Sequence, residues 1–307
     1  VKAVCWQPEC DEHALEARAK MLKAVREFFD ARGYLEVQTP SLSKDTASDA
    51  FLDSYAFDSG EARRYLQTSP EFHMKRLLAH APRPVYQICH AFRRGETGRL
   101  HNSEFTMLEW YAPGASSADM AELTALLVDV LLKPDEVRRT SFQALMREVH
   151  GIDVDHCDEA ALLSAARAVA AQADQTTALD CLYEQAVSDL LGRVLVHGFP
   201  APLASLAAIR CDGIADRFEL IIDGIEIANG CQEMTDADEL RRRTERNNEI
   251  RRVSDLPHIK CDTRLDAALR SGLVPTSGVA LGFDRLLMLK LGKRAISEVL
   301  TFSDETA

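Results

Sequence analysis

Two acids, Glu219 and Glu226, flank an Asp223-Gly224 dipeptide set between alternating apolar residues. Asp-Gly in that setting is a strong signal for a tight hairpin. A two-residue turn there puts Ile222 opposite Ile225 and Ile221 opposite Glu226, so Glu219 and Glu226 share one strand face, a pair apart. Diagonal neighbours of this kind sit roughly 7–8 Å apart. Two carboxylates so close repel unless a cation stands between them. Oxygen ligands suit Mg²⁺, which takes one or two carboxylates and completes its shell with substrate phosphates. Two solvent-facing acids on an edge strand fit the same spacing. Asn229 and Glu233 follow around Gly230. Strict alternation keeps Asn229 off the Glu226 face, and a bend at Gly230 would be needed to turn it there.

Two other clusters carry chemistry. Pro84–Arg94 and Glu104–Tyr111 read as strands joined by a polar loop, a long hairpin. Period-two geometry places Phe105, Met107, Glu109 and Tyr111 on one face. A carboxylate among apolar neighbours needs a partner, which is either an internal ion pair or a cationic ligand. The loop gathers Arg93, Arg94, Arg99 and His101, an exposed basic turn or a phosphate site. Near the C-terminus, Gly278-Val-Ala-Leu-Gly282-Phe-Asp-Arg285 reads as a glycine-bearing strand entering a helix. The glycines permit close backbone approach, and the helix start offers free N–H groups to an anion. Arg285 falls in the first helical turn, where the dipole disfavours a cation. It either pairs with an acid such as Asp284 or meets an anion.

The elements that must position these clusters follow from periodicity and punctuation. A first helix is predicted from about Glu12 to Arg32 through Leu15, Ala19, Leu22, Val25 and Phe29, with Gly33 at its C-terminal cap. Tyr34–Thr39 is extended and stops at Pro40, and Tyr65–Thr68 is a short strand. Ser69-Pro70-Glu71 opens a helix with Ser as N-cap and Pro at the first position. From about Ser117 to Leu191 the pattern is mostly helical, and strands resume at Arg217–Ile222 and Ile225–Asn229. Thr235-x-x-Asp238 resembles a capping box opening a charged, solvated helix to about Arg252. The strand Ser277–Gly282 leads into a helix from Phe283 to Leu291. Hairpins with helices grouped between them predict an α+β domain on an antiparallel sheet.

The 307 residues carry 36 Lys+Arg against 48 Asp+Glu, a formal charge of −12, which excludes nucleic-acid binding through a broad basic surface. Neither G-x-x-x-x-G-K-[ST] nor G-x-G-x-x-G occurs, so neither common nucleotide fold is indicated. No apolar run approaches the ~18 residues of a membrane span; the longest, Ala160–Ala171, is broken by Arg167. The N-terminus has no secretory pattern. Eight cysteines form no C-x-x-C pair. Only Cys5/Cys10/His13 and His150/His156/Cys157 approach zinc-ligand spacing, and reduced thiols in a cytoplasmic protein are expected.

Taken together and in order, these segments resemble the three signature motifs of class II aminoacyl-tRNA synthetases. Gly33-Tyr-Leu-Glu-Val-Gln-Thr-Pro40 resembles motif 1. Phe92-Arg93…His101-Asn-Ser-Glu-Phe-Thr-Met-Leu-Glu109-Trp-Tyr111 resembles motif 2, and Gly278…Arg285 resembles motif 3. Motif 2 with Glu226-Ile-Ala-Asn229-Gly230…Glu233 is similar to the lysyl branch. The likeness spans nearly the whole chain and is weakest in the helical middle. Lysyl-tRNA synthetases carry an N-terminal OB-fold that reads the anticodon, whereas here the motif 1 helix begins near residue 12. The expected organisation is therefore one catalytic domain over residues 1–307, with a mainly helical insertion at about 117–200 and no OB-fold domain. The chain most resembles the stand-alone paralogues that attach (R)-β-lysine to elongation factor P. Ser69 stands where the synthetases have Ala before Pro-Glu, and Ala280 stands where they have Gly. The methyl of Ala280 narrows the pocket near the α-carbon, which suits a shifted amino group.

The resemblance implies roles. Glu71 binds the amino group nearer the carboxylate, and Glu109, Tyr111 and Glu233 bind the distal ammonium, with Ser69 and Ala280 lining the same pocket. Arg93 and Asn229 meet the carboxylate and α-phosphate. His101, Phe105 and Arg285 bind ATP, Phe105 against adenine. Glu219 and Glu226 hold Mg²⁺ on the ATP. Arg93 and Arg285 are the implied catalytic pair. Three positions depart from the pattern: Gly95 replaces a Glu that meets adenine, a task Glu96 takes; Cys231 replaces an aromatic wall; Ser103 replaces a Pro, with little consequence expected. The implied activity is an AMP-forming ligase that activates (R)-β-lysine, or lysine, with ATP and passes it to a lysine of elongation factor P. A cytoplasmic homodimer is implied, without membrane contact and without tRNA. Charging of tRNA, or a non-catalytic regulatory subunit, are the competing readings.

Overall fold

The computed structural model describes residues 6–58, 60, 62–154, 162, 164 and 175–307. Cys5, His156 and Cys157 of the zinc-like spacings lie outside the described residues, as does most of the run Ala160–Ala171. Among the described residues no helix is long and apolar enough to cross a membrane.

The chain opens with α1 (Glu12–Asp30), β1 (Leu35–Glu36), β2 (Leu42–Ser43), β3 (Ala56–Asp58), β4 (Arg63–Leu66) and α2 (Glu71–His80). It continues with β5 (Val85–Phe92), β6 (Glu104–Pro113), α3 (Ser117–Leu131), β7 (Val137–Ser141) and α4 (Phe142–His150). Then come α5 (Gln175–Ser188), β8 (Arg193–Pro200), β9 (Ile214–Ile222), β10 (Ile225–Gln232), α6 (Ala237–Val253), α7 (Thr263–Gly272), β11 (Thr276–Gly282) and α8 (Phe283–Lys290).

Eight strands form one sheet in the order β1-β5-β6-β11-β10-β9-β8-β7, and β2-β4-β3 form a small second sheet. The α+β class stands. The six inner strands are antiparallel, as expected, but β1 runs parallel to β5 and β7 parallel to β8, so the sheet is mixed at both edges. The stretch between 117 and 200 was expected to be mostly helical. It holds α3, α4 and α5 but also β7 and β8, and β8 pairs with β9 as an integral strand of the sheet. Val194, Leu195 and Val196 are all buried, so β8 reads as an apolar run without alternation.

Each face of the sheet has its own cover. Leu108, Trp110, Leu220, Ala228, Val279 and Leu281 face the main core, where α1, α3 and α8 pack. Phe29 of α1 stacks on Tyr86 at 4.6 Å and lies 5.4 Å from Trp110. On the opposite face, α4 and α5 cover Val194, Val196 and Ile221 at one end. At the other end α2, α6 and α7 cover Val85 and Tyr111. The middle of this second face carries the polar residues singled out above.

Several helix details differ from expectation by one residue. α1 buries Ala14, Ala17, Met21, Val25, Phe28 and Phe29, whereas Leu15 and Ala19 are exposed. Ser69 caps from one position further out: Pro70 is the N-cap, while Ser69 Oγ accepts the Glu71 N–H at 3.0 Å. The cap of α6 is Asp236, whose Oδ1 accepts the N–H groups of Asp238 and Glu239. Nor is the α6 charge run wholly solvated. Arg243 and Arg251 are buried, and their guanidinium groups donate to the carbonyls of Ser205, Ala207, Asp49, Leu52 and Pro257. Arg serves there because its five donors can satisfy several loop carbonyls at once.

Candidate active site

The strand register lines up one row of side chains across five strands. Gln87 on β5 pairs with Glu109 on β6, Glu109 with Ala280 on β11, Ala280 with Asn229 on β10, and Asn229 with Glu219 on β9. The Asp223-Gly224 turn has φ of +48 and +75, and it sets Ile222 opposite Ile225 and Ile221 opposite Glu226 as the sequence required. The ladder then slips between Glu226 and Ala228. This bulge, rather than a bend at Gly230, brings Asn229 onto the face of Glu219 and Glu226.

At one end of the row lies an acidic pocket. Glu109 is 1% exposed and accepts from Ser69 Oγ at 2.6 Å and Tyr111 Oη at 2.8 Å. Its partners are hydroxyls, so the internal ion pair weighed from sequence is not there. Burial pushes its carboxyl up to about 8, with the nearby Glu71 charge adding to the effect. Glu71 and Glu233 both lie against the ammonium of Lys75 at 2.6 Å. Glu233 is raised by burial, against the pull of Lys75. Gly278 makes the pocket possible: a Cβ there would sit 2.2 Å from Tyr111 Cε1 and 2.6 Å from Glu233 Oε1. Cys231 is paired in register with Gly278, and burial with the Glu233 charge holds its thiol well above the usual range.

At the other end, Glu219 is 5% exposed and is held by three donors. Its Oε1 accepts from Arg217 and from Asn229 Nδ2 at 3.1 Å, and its Oε2 accepts from Tyr183 Oη at 2.7 Å. Burial raises its carboxyl and Arg217 pulls it back. Glu226 is more open. Its side chain lies 3.5 Å from Arg285, which also donates to the Glu226 carbonyl at 2.9 Å. Arg285 Nη2 reaches His101 Nε2 at 2.6 Å, and Asp284 turns away to Arg18 and the Thr106 N–H. Asp284 is therefore not the partner of Arg285, and the acid beside this guanidinium is Glu226. Burial and then Arg285 lower the His101 pKa, with Glu96, Arg93 and Glu226 also acting on it, so these charges surround one imidazole.

Arg93 lies 5.1 Å over the Phe105 ring and 3.7 Å from Glu96. Gly95 takes φ +84, a conformation that disfavours the Glu found there in the motif. Ser103 matters more than expected, because its N–H and hydroxyl bond Asp304 at 3.1 and 2.8 Å and tie the loop to the C-terminal segment.

The structure thus gathers Ser69, Glu71, Glu109, Tyr111, Glu233 and Ala280 around one pocket, and Asn229, Glu219, Glu226, Arg285 and His101 along its continuation, with Arg93 and Glu96 in the adjoining loop and Phe105 at the start of β6. Sequence reasoning missed three residues. Lys75 follows Glu71 at the i,i+4 spacing of a helical ion pair, which was a usable signal. Arg217 lies two positions before Glu219, hence on its face. Tyr183 sits in the helical middle, where no motif marked it.

The acids at the Glu219 end also bear on a metal. Asp180 and Glu184 of α5 join Glu219 and Glu226, and burial together with the Glu226 charge raises Glu184. These side chains offer hard oxygens, which suit a magnesium-type cation. Among the described residues no group of three or more ligating side chains could hold an ion unaided. Two carboxylates suffice where substrate phosphates supply the remaining oxygens.

The family described as tRNA synthetases class II (D, K and N) matches residues 6–306. A protein of Pasteurella multocida named elongation factor P–(R)-β-lysine ligase is 41% identical over 319 residues, covering 98% of each chain. Proteins of the same name from Pectobacterium carotovorum and Edwardsiella ictaluri are 41% and 40% identical, again over 98% of both chains. The motifs read in the strands and the geometry of the sheet agree with these matches: the chain belongs to the class II aminoacyl-tRNA synthetase family, within the group of the elongation factor P–(R)-β-lysine ligases.

Proposed function

We propose that this chain activates (R)-β-lysine with ATP as an acyl-adenylate and transfers the acyl group to a lysine ε-amine of elongation factor P. The observation that carries the reading is the row Glu109–Ala280–Asn229–Glu219, which joins a carboxylate pocket to a site of paired arginine and carboxylate groups. The pocket suits the two ammonium groups: Glu71 takes the amino group nearer the carboxylate, and Glu109, Tyr111 and Glu233 take the distal one. Ala280 forms the floor between them. Ser69 orients Glu109 through its hydroxyl.

Arg93 and Asn229 then hold the amino-acid carboxylate near the α-phosphorus. His101, Phe105, Glu96 and Arg285 hold the nucleotide, Phe105 by its ring face. Glu226, with the remaining lone pair of Glu219, would hold Mg²⁺, which supplies charge neutralisation at the phosphates. The carboxylate oxygen attacks the α-phosphorus and pyrophosphate leaves. The two arginines oppose the anion–anion repulsion that dominates this barrier. In the second step the deprotonated ε-amine attacks the acyl carbon, the bond to the phosphate oxygen breaks, and AMP leaves as the amide forms. No enzyme nucleophile is required. The reading includes a cytoplasmic homodimer assembled through the motif 1 region.

Pyrophosphate exchange with (R)-β-lysine, compared with α-lysine, tests the first step. Transfer of labelled β-lysine to purified elongation factor P tests the second. Exchange with neither diamino acid would refute the reading, and tRNA charging without protein labelling would replace its second half.

A further inference from the structure

We propose that Lys75 is a built-in counter-ion of the amino-acid pocket, a positioning residue that leaves its three carboxylates a formal two positive charges short and so matches it to a doubly protonated diamino acid. This deepens the function proposed above and rests on it.

The geometry is compact. Lys75 lies one helical turn after Glu71 on α2, and its side chain is 2% exposed. Its Nζ stands 2.6 Å from Glu71 Oε1 and 2.6 Å from Glu233 Oε2, bridging α2 to the end of β10. Glu233 Oε2 is buried, with the Lys75 ammonium against it. Glu109 completes the set, with only hydroxyl donors. Among the described residues no other cation lies within ion-pair distance of these three acids. Three carboxylates against one ammonium leave two negative charges in a water-poor pocket.

Buried charges of one sign do not persist unpaired. Without a ligand the pocket meets the deficit in part by keeping a proton on Glu109, whose pKa stands at about 8. A ligand with two ammonium groups satisfies all three carboxylates and expels that proton. A ligand with one does not. Lys75 has a separate effect: its charge opposes the burial that raises the Glu233 carboxyl, and its ammonium holds Glu233 beside Glu71. The neighbouring groups are accounted for. The Cys231 thiol and Tyr111 phenol are held neutral by burial, as is the Cys89 thiol behind Glu109. Arg217 on β9 is committed to Glu219 and Asn229.

The test is calorimetric binding of (R)-β-lysine at pH 7 in buffers of different ionisation heat, which counts protons released. The wild type is expected to release protons on binding, and Lys75→Met to release more, because Glu233 then loses the charge that opposes its protonation. Lys75→Met should also weaken β-lysine at least about thirtyfold while leaving ATP affinity unchanged. Lys75→Arg, which keeps the charge, should return the wild-type proton count. If Lys75→Met releases the same number of protons as the wild type, the inference fails. A test without any variant uses 3-aminohexanoic acid, which lacks the distal ammonium. It should bind at least about thirtyfold more weakly and release essentially no proton, and equal affinity would overturn the charge match. If the wild type binds no diamino acid at all, it is the proposed function that falls.

Discussion

Asn229 meets Glu219 across the β9–β10 ladder only because the register slips by one residue at Ile227. The amide then serves two charged groups at once, donating to Glu219 and accepting from Arg217 Nε at 3.2 Å. Asn229→Ala frees both, and it removes the proposed contact to the reacting carboxylate and α-phosphate. Loss of one preorganised donor of this kind lowers kcat about a hundredfold. Steady-state exchange kinetics should show that fall in kcat, and an unchanged kcat would remove Asn229 from the reaction.

That bulge also marks where the sequence stopped being legible. The Asp-Gly turn fixed the hairpin and its first two pairs, because turn chemistry acts over neighbouring residues. A one-residue slip leaves no comparable local trace: Ile227 and Ala228 are both apolar and both buried. β8 escaped for a related reason. A strand covered on both faces lacks alternation, and Val194-Leu-Val196 is compatible with a buried helix segment as well. The motif residues were readable because their types are costly where they stand. Glu109 lies in an apolar strand and Arg285 in a first helical turn. Lys75 and Tyr183 look ordinary in a helix, and only the tertiary fold brings them to Glu233 and Glu219.

Gly278 is the position where the pocket tolerates no side chain. In Gly278→Ala the added methyl would fall inside contact distance of the Tyr111 ring and the Glu233 carboxylate. The ring must then move, and overpacking of that kind costs about 1–3 kcal/mol. The KM for the diamino acid should rise about tenfold or more, while ATP affinity, which depends on the other end of the row, stays the same. Equal losses of both affinities would mean that the sheet, not the pocket, had been disturbed.

The pH dependence of amino-acid binding follows from Glu109. Its folded-state pKa is about 8 against an ordinary 4.5, so the folded protein holds a proton that the unfolded chain has released. The sign is therefore opposite to that of a salt-bridged carboxylate. This group's contribution to stability falls as pH rises from about 4.5 and levels off above about 8. A cationic ligand selects the ionised form, so the KM for β-lysine should fall with rising pH until about 8. Glu109→Gln should flatten that dependence while raising KM overall. Profiles measured from pH 6 to 9 decide the matter; parallel slopes in the two proteins would assign the titration to another group.

Asp284 shows that not every charge in a signature motif faces substrate. It is 2% exposed, accepts from the Thr106 N–H at 2.6 Å and pairs with Arg18 of α1, joining α8, β6 and α1 beneath the sheet. Arg18 also donates to Thr106 Oγ1 at 3.2 Å and to the Val299 carbonyl at 3.2 Å. Asp284→Ala leaves a guanidinium and a buried N–H without their acceptor. Breaking such a buried pair from one side costs about 3–5 kcal/mol. Denaturant unfolding should show a loss of that size with the m-value unchanged. Arg285 acts on the other face of the same helix start, so Arg285→Ala should do the reverse, keeping stability within about 1 kcal/mol because its partners are partly solvated, while adenylate formation falls about a hundredfold or more. If the two variants exchanged these effects, the division of the motif into a structural acid and a nucleotide-facing arginine would be wrong.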